Sequence, residues 1–186
     1  MASNKSSAQS ARKSPSPAAR RGPATKSNGS ENEAIAQLRE DHARVKKMFK
    51  QYDKLAKSDA DSSERQELAS MICAELTAHA TAEEEILYPA ARETLDEANL
   101  IDEAEVEHAT AKELIAQIQE STPDDDLFDA KVKVLGEYIN HHVEEEEGEI
   151  FPKVRKSKID TVRLGEEIAA RKAEILGELG IEMTAA

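Results

Sequence analysis

The sequence has no tryptophan and few residues that break or bend a chain. Aromatic residues make up only 3% of its 186 residues, and there are seven glycines and six prolines. Strand-rich sandwiches need many turns, so this composition disfavours them and favours helices. Hydrophobic residues make up 39% of the chain, which is enough for one modest core.

Long apolar runs and cysteines are also scarce. No run approaches the roughly 20 apolar residues of a membrane-spanning helix, and no apolar segment near Met1 predicts a secretory signal. The single cysteine, Cys73, excludes an internal disulfide framework. We expect it to be a small buried residue on a helix, with a redox role as the alternative. Together these features favour a cytoplasmic protein with no membrane partner.

Charge is distributed unevenly along the chain. Residues 1–30 contain no acidic residue and carry +6, so the remainder carries −19 to reach the total of −13. An acidic body argues against nucleic acid as the main partner. Residues 1–29 also lack Leu, Ile, Val, Phe and Tyr, which predicts a disordered basic tail. The tail could solubilise the protein, make weak contact with a polyanion, or act as a transit peptide.

Apolar residues recur every three or four positions in four segments, which predicts four amphipathic helices. Ser30 and Glu33 form a capping-box pattern before the first helix, and Thr122 with Pro123 predicts the start of the fourth. Pro89 and Pro152 should stop or kink the second and fourth helices. The four predicted helices cover about residues 30–57, 64–88, 100–120 and 123–150.

Long helices with short loops predict an all-α fold, an up-down-up-down four-helix bundle over residues 30–155. Residues 156–186 contain a further amphipathic segment at about 161–179, which predicts a C-terminal helix. This helix could pack against one end of the bundle or pair with another copy of itself.

The two halves of the bundle repeat each other. Asp-His-Ala at 41–43 matches Glu-His-Ala at 107–109. The segment from His79 to Pro89 matches the segment from His142 to Pro152, and in both copies a Glu lies four residues after the His. A repeated polar residue at a core position is hard to explain by packing alone.

Four histidines lie on the apolar stripes of four different predicted helices. A Glu four residues after a His shares its helix face, so two carboxylates should converge with four imidazoles. Two buried carboxylates are costly without cations, and mixed imidazole and carboxylate ligands suit Fe, Mn or Zn. Bundle cores are a known location for dinuclear sites. We therefore predict six metal ligands: His42, His79, Glu83, His108, His142 and Glu146.

The other polar residues near these positions have less specific interpretations. His141 is turned about 100° from His142 on a helix, so we expect it at the surface or behind the ligands. Tyr138 could stand one turn from the metals, but ordinary core packing is the stronger interpretation. Five glutamates mostly off the stripe should be solvated, namely Glu84, Glu85, Glu144, Glu145 and Glu147.

The spacing of the six predicted ligands, with the closing Ile-Leu-Tyr-Pro and Ile-Phe-Pro, resembles the hemerythrin-like (HHE cation-binding) family over about residues 33–152. The resemblance implies a non-haem di-iron centre that meets dioxygen or a related small molecule. It also implies that Glu83 and Glu146 bridge two iron ions and that the four histidines are terminal ligands.

The sequence departs from the oxygen-carrying hemerythrins at two positions. Their third helix supplies a second His where this chain has Lys112, and their fourth helix ends in a bridging Asp where this chain has Glu146. One His fewer leaves more open coordination, which favours sensing of dioxygen, peroxide, nitric oxide or iron over reversible oxygen carriage. The alternatives are a di-iron enzyme that consumes peroxide or acts as an oxidase, and an iron-storage or buffering protein.

Overall fold

The computed structural model describes residue 1, residues 33–58 and residues 61–181. Helices dominate these residues, which contain no strand. They are α1 (Glu33–Lys57), α2 (Ser62–Ala82), α3 (Tyr88–Thr94), α4 (Ala98–Gln119), α5 (Phe128–Glu145), α6 (Phe151–Lys156) and α7 (Thr161–Glu178). The all-α bundle expected from the sequence is confirmed. The expected tail and the Ser30 cap lie outside the described residues, Met1 apart, and the division into three regions stays a prediction.

The predicted stripes form the bundle core. On α1, α4 and α5 every apolar residue of the stripe is buried. These buried stripe residues belong to two apolar clusters, one containing Val45, Ile115 and Ile139, the other containing Leu38 and Ile101. Fully burying one such side chain contributes about 1.5–3 kcal/mol, so an apolar cluster stabilises the bundle on each side of a polar layer.

Two prolines were expected to stop or kink their helices, and neither ends one. π-helical turns at Glu83–Leu87 and Glu146–Ile150 join α2 to α3 and α5 to α6. A proline has no N–H to donate to the carbonyl one turn back. Immediately before each proline, one backbone hydrogen bond spans five residues. It runs from the Tyr88 N–H to the Glu83 carbonyl oxygen in the first turn, and from the Phe151 N–H to the Glu146 carbonyl oxygen in the second. Both π-helical turns begin at a predicted metal ligand, and such turns are frequent at functional sites.

The expected start of the fourth helix was wrong. Residues 123–127 form turns and a bend, and α5 begins only at Phe128. The Asp125 carboxylate accepts hydrogen bonds from the N–H and hydroxyl of Thr122, and the Thr122 carbonyl accepts from the Asp125 N–H. Thr122 therefore donates to the Asp125 side chain instead of capping a helix.

The C-terminal helix α7 packs along the side of the bundle formed by α1 and α2. Leu164 and Ile168 join the apolar cluster that contains Leu38. A Cβ on Gly165 would lie 3.0 Å from the backbone nitrogen of Ala34, so glycine permits this close approach. Neither expected position, the bundle end or a second copy, describes this contact. None of the described helices is long and apolar enough to cross a bilayer.

Candidate metal centre

All six predicted ligands lie in one buried layer between the two apolar clusters. Each is at least nine-tenths buried, and Glu83 and Glu146 are almost completely shielded from solvent. The histidines come from α1, α2, α4 and α5, while each glutamate is the first residue of a π-helical turn. The structure therefore brings together every residue that the sequence pattern selected.

The four histidines form two pairs. The Nε2 atoms of His42 and His79 are 3.2 Å apart, and those of His108 and His142 are 3.1 Å apart. Potential ligand atoms fall into one group of His42, His79, Glu83 and Glu146, and a second group of Glu83, His108 and His142. Glu83 belongs to both groups, so the layer has two neighbouring sets of donors with a shared carboxylate.

The two carboxylates lie between the histidine pairs. Glu83 Oε2 is 3.2 Å from His79 Nε2 and 3.5 Å from His108 Nε2. Glu146 Oε2 is 3.3 Å from His42 Nε2 and 3.8 Å from His142 Nε2. Each glutamate therefore approaches one histidine of each pair, as a bridging ligand would.

Three carboxylate oxygens of this layer have no hydrogen-bond partner: Glu83 Oε1, Glu83 Oε2 and Glu146 Oε2. An unsatisfied buried polar group costs about 1–3 kcal/mol, and a charged one costs more. Metal cations would ligate these oxygens and offset their charge. The orphaned oxygens and the imidazole nitrogens that face them therefore fit bound metal.

A second set of four carboxylates orients the imidazole rings. Nδ1 of His42 lies 2.9 Å from Glu147, and Nδ1 of His79 lies 3.3 Å from Asp41. The same contact measures 3.1 Å from His108 to Glu84 and 2.7 Å from His142 to Glu107. A proton on Nδ1 donated to the carboxylate leaves the Nε2 lone pair facing the interior, which is the arrangement of metal-bound histidines.

Comparison with known proteins places this arrangement in a family. The family model described as Hemerythrin HHE cation binding domain matches residues 33–154. The chain belongs to the hemerythrin HHE cation-binding domain family. Since that domain binds metal cations and the buried layer fits them, the chain is a metal-binding protein.

One solved structure and one curated protein resemble this hemerythrin domain. The first is a crystal structure of a hemerythrin HHE cation binding domain-containing protein from Mycobacterium kansasii. It has a TM-score of 0.62 and 24% identity, with 76% of this chain and 85% of that one covered, and it shows the fold. The second, named DNA nickase, comes from Nostoc sp. (strain PCC 7120) and is 34% identical over 151 residues. The match covers 80% of this chain but only 42% of that relative's length.

The expectation that Glu84 and Glu147 are simply solvated was wrong. Both reach back to a histidine of the hemerythrin domain from the first turn after a predicted ligand. The repeat carried a signal for them, because each is the residue directly after the Glu of the His-Glu pair. Asp41 and Glu107 carried a second signal, since each directly precedes a histidine.

Cations contact three of the four outer carboxylates. Lys172 of α7 forms an ion pair with Asp41, Lys112 approaches Glu84 at 2.5 Å, and Arg39 lies 3.4 Å from Glu147. Burial opposes ionisation of Asp41, but His79 and Lys172 hold its pKa at about 2. Burial likewise opposes charge on His79, yet Glu83 and Asp41 raise its pKa to about 10. The low pKa of Asp41 favours its carboxylate anion and the raised pKa of His79 favours its protonated ring, so each group stabilises the charge of the other.

The two π-helical turns place different rings beside the histidines. Phe151 stacks on His42 with centroids 5.7 Å apart, whereas Tyr88 stacks on His108 at 5.4 Å. The Tyr88 hydroxyl lies 3.4 Å from Glu146 Oε1 and from His108 Nε2. Tyr88, which was not among the residues predicted near the metals, therefore contacts the site, while Tyr138 is half-buried on α5.

His141 was expected either at the surface or behind the ligands, and it lies at the surface. Its side chain is 62% exposed, and its Nε2 is 3.3 Å from Glu145 Oε1. Cys73 is buried, also as expected, and burial raises the pKa of its thiol to about 12. The thiol is therefore protonated and unreactive near neutral pH.

Proposed function

We propose that this chain binds two iron ions, one at each histidine pair, with Glu83 and Glu146 bridging them. The supporting observation is the pair of donor groups that share Glu83. Two carboxylates and four imidazoles form a mixed oxygen and nitrogen ligand set that suits iron. The outer carboxylates hold each imidazole in a fixed orientation, so little reorganisation is needed when metal binds.

We further propose that the iron centre binds a small neutral molecule, with dioxygen as the leading candidate and nitric oxide as a related one. A cavity of about 20 Å³ adjoins the four histidines, and much of its wall is apolar, including Val45, Leu76, Ile115 and Ile139. A water molecule needs about 10–15 Å³ and two to four polar partners. An apolar wall offers few such partners, so the cavity favours a small apolar molecule over water.

Lys112 supports a sensing role over oxygen carriage. Its side chain is 41% exposed and pairs with Glu84, which in turn contacts His108. Lys112 also lines the cavity. The oxygen-carrying hemerythrins have a further histidine ligand at this position. The charged side chain of Lys112 would instead leave that coordination position of the metal open. Bound iron supplies redox chemistry and open coordination positions, while the protein orients its ligands and shapes the cavity.

The test is an optical titration of anaerobically iron-loaded protein with dioxygen. We expect new absorption in the near-ultraviolet and visible range that saturates with dioxygen. A small-to-large change, Ala111→Leu, should fill the cavity and reduce the amplitude or rate of this change, while the control Ala116→Leu on the exposed face of α4 should not. An absorption spectrum of iron-loaded protein that does not change on addition of dioxygen or nitric oxide would contradict this function.

Peroxide consumption is a second candidate function, and Tyr88 favours it. A buried phenol 3.4 Å from Glu146 can donate a proton or a hydrogen atom within the site. Two results together would support this enzyme function. Iron-loaded wild type should consume peroxide far faster than free iron does, and Tyr88→Phe should lose this activity at equal iron content. Equal rates for wild type and free iron would contradict it.

The outer carboxylates give a further prediction about affinity. Asp41→Asn removes the charge that orients His79, so metal should bind about 10–100-fold more weakly, as is typical for residues behind a ligand. Asp53→Asn, an exposed change on the same helix, is the matched control. Competition with a chelator measures both affinities, and equal affinities for the two variants would show that Asp41 has no such role.

A further inference from the structure

An acidic cleft opens beside the metal centre between α4 and the second π-helical turn. Five glutamates line it, and no Lys or Arg is among its lining residues. Glu103 and Glu149 are exposed and have no ion-pair partner among the described residues. The cleft has a volume of about 40 Å³, which exceeds the 10–15 Å³ that one water needs, so it can hold water or an ion.

The cleft leads from the surface to the predicted ligands. Glu146 and His142 both line it, and Glu146 is 1% exposed with an oxygen that has no hydrogen-bond partner. Glu107 spans the same wall: its Oε2 contacts His142 Nδ1 at 2.7 Å, while its Oε1 lies 3.8 Å from the exposed His141. A continuous row of carboxylates therefore connects solvent to the metal layer.

A group of three side chains at the outer part of this wall has the composition of a cation site. Glu107, His141 and Glu145 can each present a ligand atom, and these atoms lie within 4.8 Å of one another. His141 and Glu145 are on one face of α5, 3.3 Å apart. Mixed imidazole and carboxylate donors bind divalent transition metals.

The internal repeat shows that this opening is particular to one half of the bundle. The positions that match Glu103, Glu145 and Glu149 in the other half are Gln37, Ala82 and Ile86. Helix α7 covers that half, where a Cβ on Gly165 would lie 3.2 Å from Gln37 and Lys172 pairs with Asp41. The same location is thus neutral and closed in one half, and acidic and open in the other.

The outer carboxylates differ in the same way. Asp41, Glu84 and Glu147 each contact a Lys or Arg. Within the described ranges, Glu107 forms ion pairs only with histidines and lies beside further acidic residues. Of the four outer carboxylates, Glu107 is therefore the one that has no Lys or Arg to compete with a cation approaching from solvent.

We propose that this cleft, lined by Glu103, Glu107, Glu145 and Glu149 with His141 beside it, is the route by which divalent cations enter the metal centre. Glu107, His141 and Glu145 form a transient docking site on that route, and Glu146 accepts the ion at its inner end. The proposal rests on the proposed metal centre. Clefts lined by charge of one sign raise the local concentration of counter-ions and their association rates.

The experiment follows Co²⁺ uptake by metal-free, full-length protein in an anaerobic stopped-flow instrument, using the visible absorption of bound Co²⁺. The test variant is Glu103→Gln/Glu145→Gln/Glu149→Gln, which removes three charges from the cleft and none of the six predicted ligands. The control variant is Glu67→Gln/Glu113→Gln/Glu120→Gln, which removes three exposed charges outside the cleft. Both variants have the same net charge.

We expect uptake by the cleft variant to be about tenfold slower than by wild type at low ionic strength, with the same final metal content. The control should be within about twofold of wild type, and added salt should narrow the gap because it screens exposed charges. Equal uptake by both variants would overturn the entry route and leave the metal centre intact. A lower final content in the cleft variant would overturn it in favour of a permanent ligand. Wild type that binds no Co²⁺ or iron would contradict the metal centre itself.

Discussion

Replacing Glu83 or Glu146 with alanine should reduce metal content from two ions per chain to one or none. Each carboxylate lies between a histidine of one pair and a histidine of the other. Under the proposed ligation, removing one carboxylate would take a ligand from both metal positions, whereas removing a single histidine would affect one. The loss in affinity should exceed the roughly 10–100-fold typical of residues behind a ligand.

Two neighbouring residues serve as controls for this prediction. Glu144 and His141 lie on the exposed face of α5, so Glu144→Ala and His141→Ala should keep both ions at equilibrium. Elemental analysis of all four variants after identical iron loading measures the result. If His141→Ala empties the site while Glu146→Ala does not, the proposed ligands of α5 and its π-helical turn are wrong.

Removing the metal should lower the melting temperature markedly while the protein stays helical. Without cations, two almost fully buried carboxylates share one layer, and three of their oxygens lack a hydrogen-bond partner. Burial opposes ionisation of Glu83, but His79 and His108 hold its pKa well below its usual value, so the layer keeps a buried carboxylate charge that is costly without a metal cation. The apolar clusters on both sides of the layer remain and should keep the helices together.

The size of this effect follows from mass action. Metal at a thousandfold excess over its dissociation constant adds about 4 kcal/mol to the free energy of unfolding. For a chain of this length each kcal/mol shifts the melting temperature by about 2–4 °C, so the metal-free protein should melt about 8–16 °C lower. Circular dichroism at 222 nm, with and without metal, measures both helix content and melting. Superimposable melting curves would contradict a metal bound within the core.

The sequence predicted the elements whose signal is periodic. The stripes on α1, α4 and α5 matched the buried faces, because a 3.6-residue period determines which side chains share a face. The same stripes placed the six predicted ligands in a single layer. A repeated polar residue on an apolar stripe is informative because burial without a partner is costly.

Features that depend on contacts between distant segments were not predictable in the same way. Glu84 and Glu147 lie off the stripe of an ideal helix, and they reach histidines on other helices from within π-helical turns. A period of 3.6 residues per turn does not describe a π-helical turn, so it does not predict where these two side chains lie. Lys172 contacts Asp41 across 131 positions of sequence, and α7 had two expected positions, neither of which describes its contact.

The proposal that two iron ions lie between the two histidine pairs is tested most directly by metal content together with Mössbauer spectroscopy. Metal-free protein would be loaded anaerobically with ⁵⁷Fe²⁺, freed of excess iron, and exposed to dioxygen. We predict two iron atoms per chain and, after oxidation, a spectrum of two magnetically coupled ferric ions, as expected when carboxylates bridge them. One iron per chain, no retained iron, or two uncoupled ferric ions would contradict the shared centre at Glu83 and Glu146.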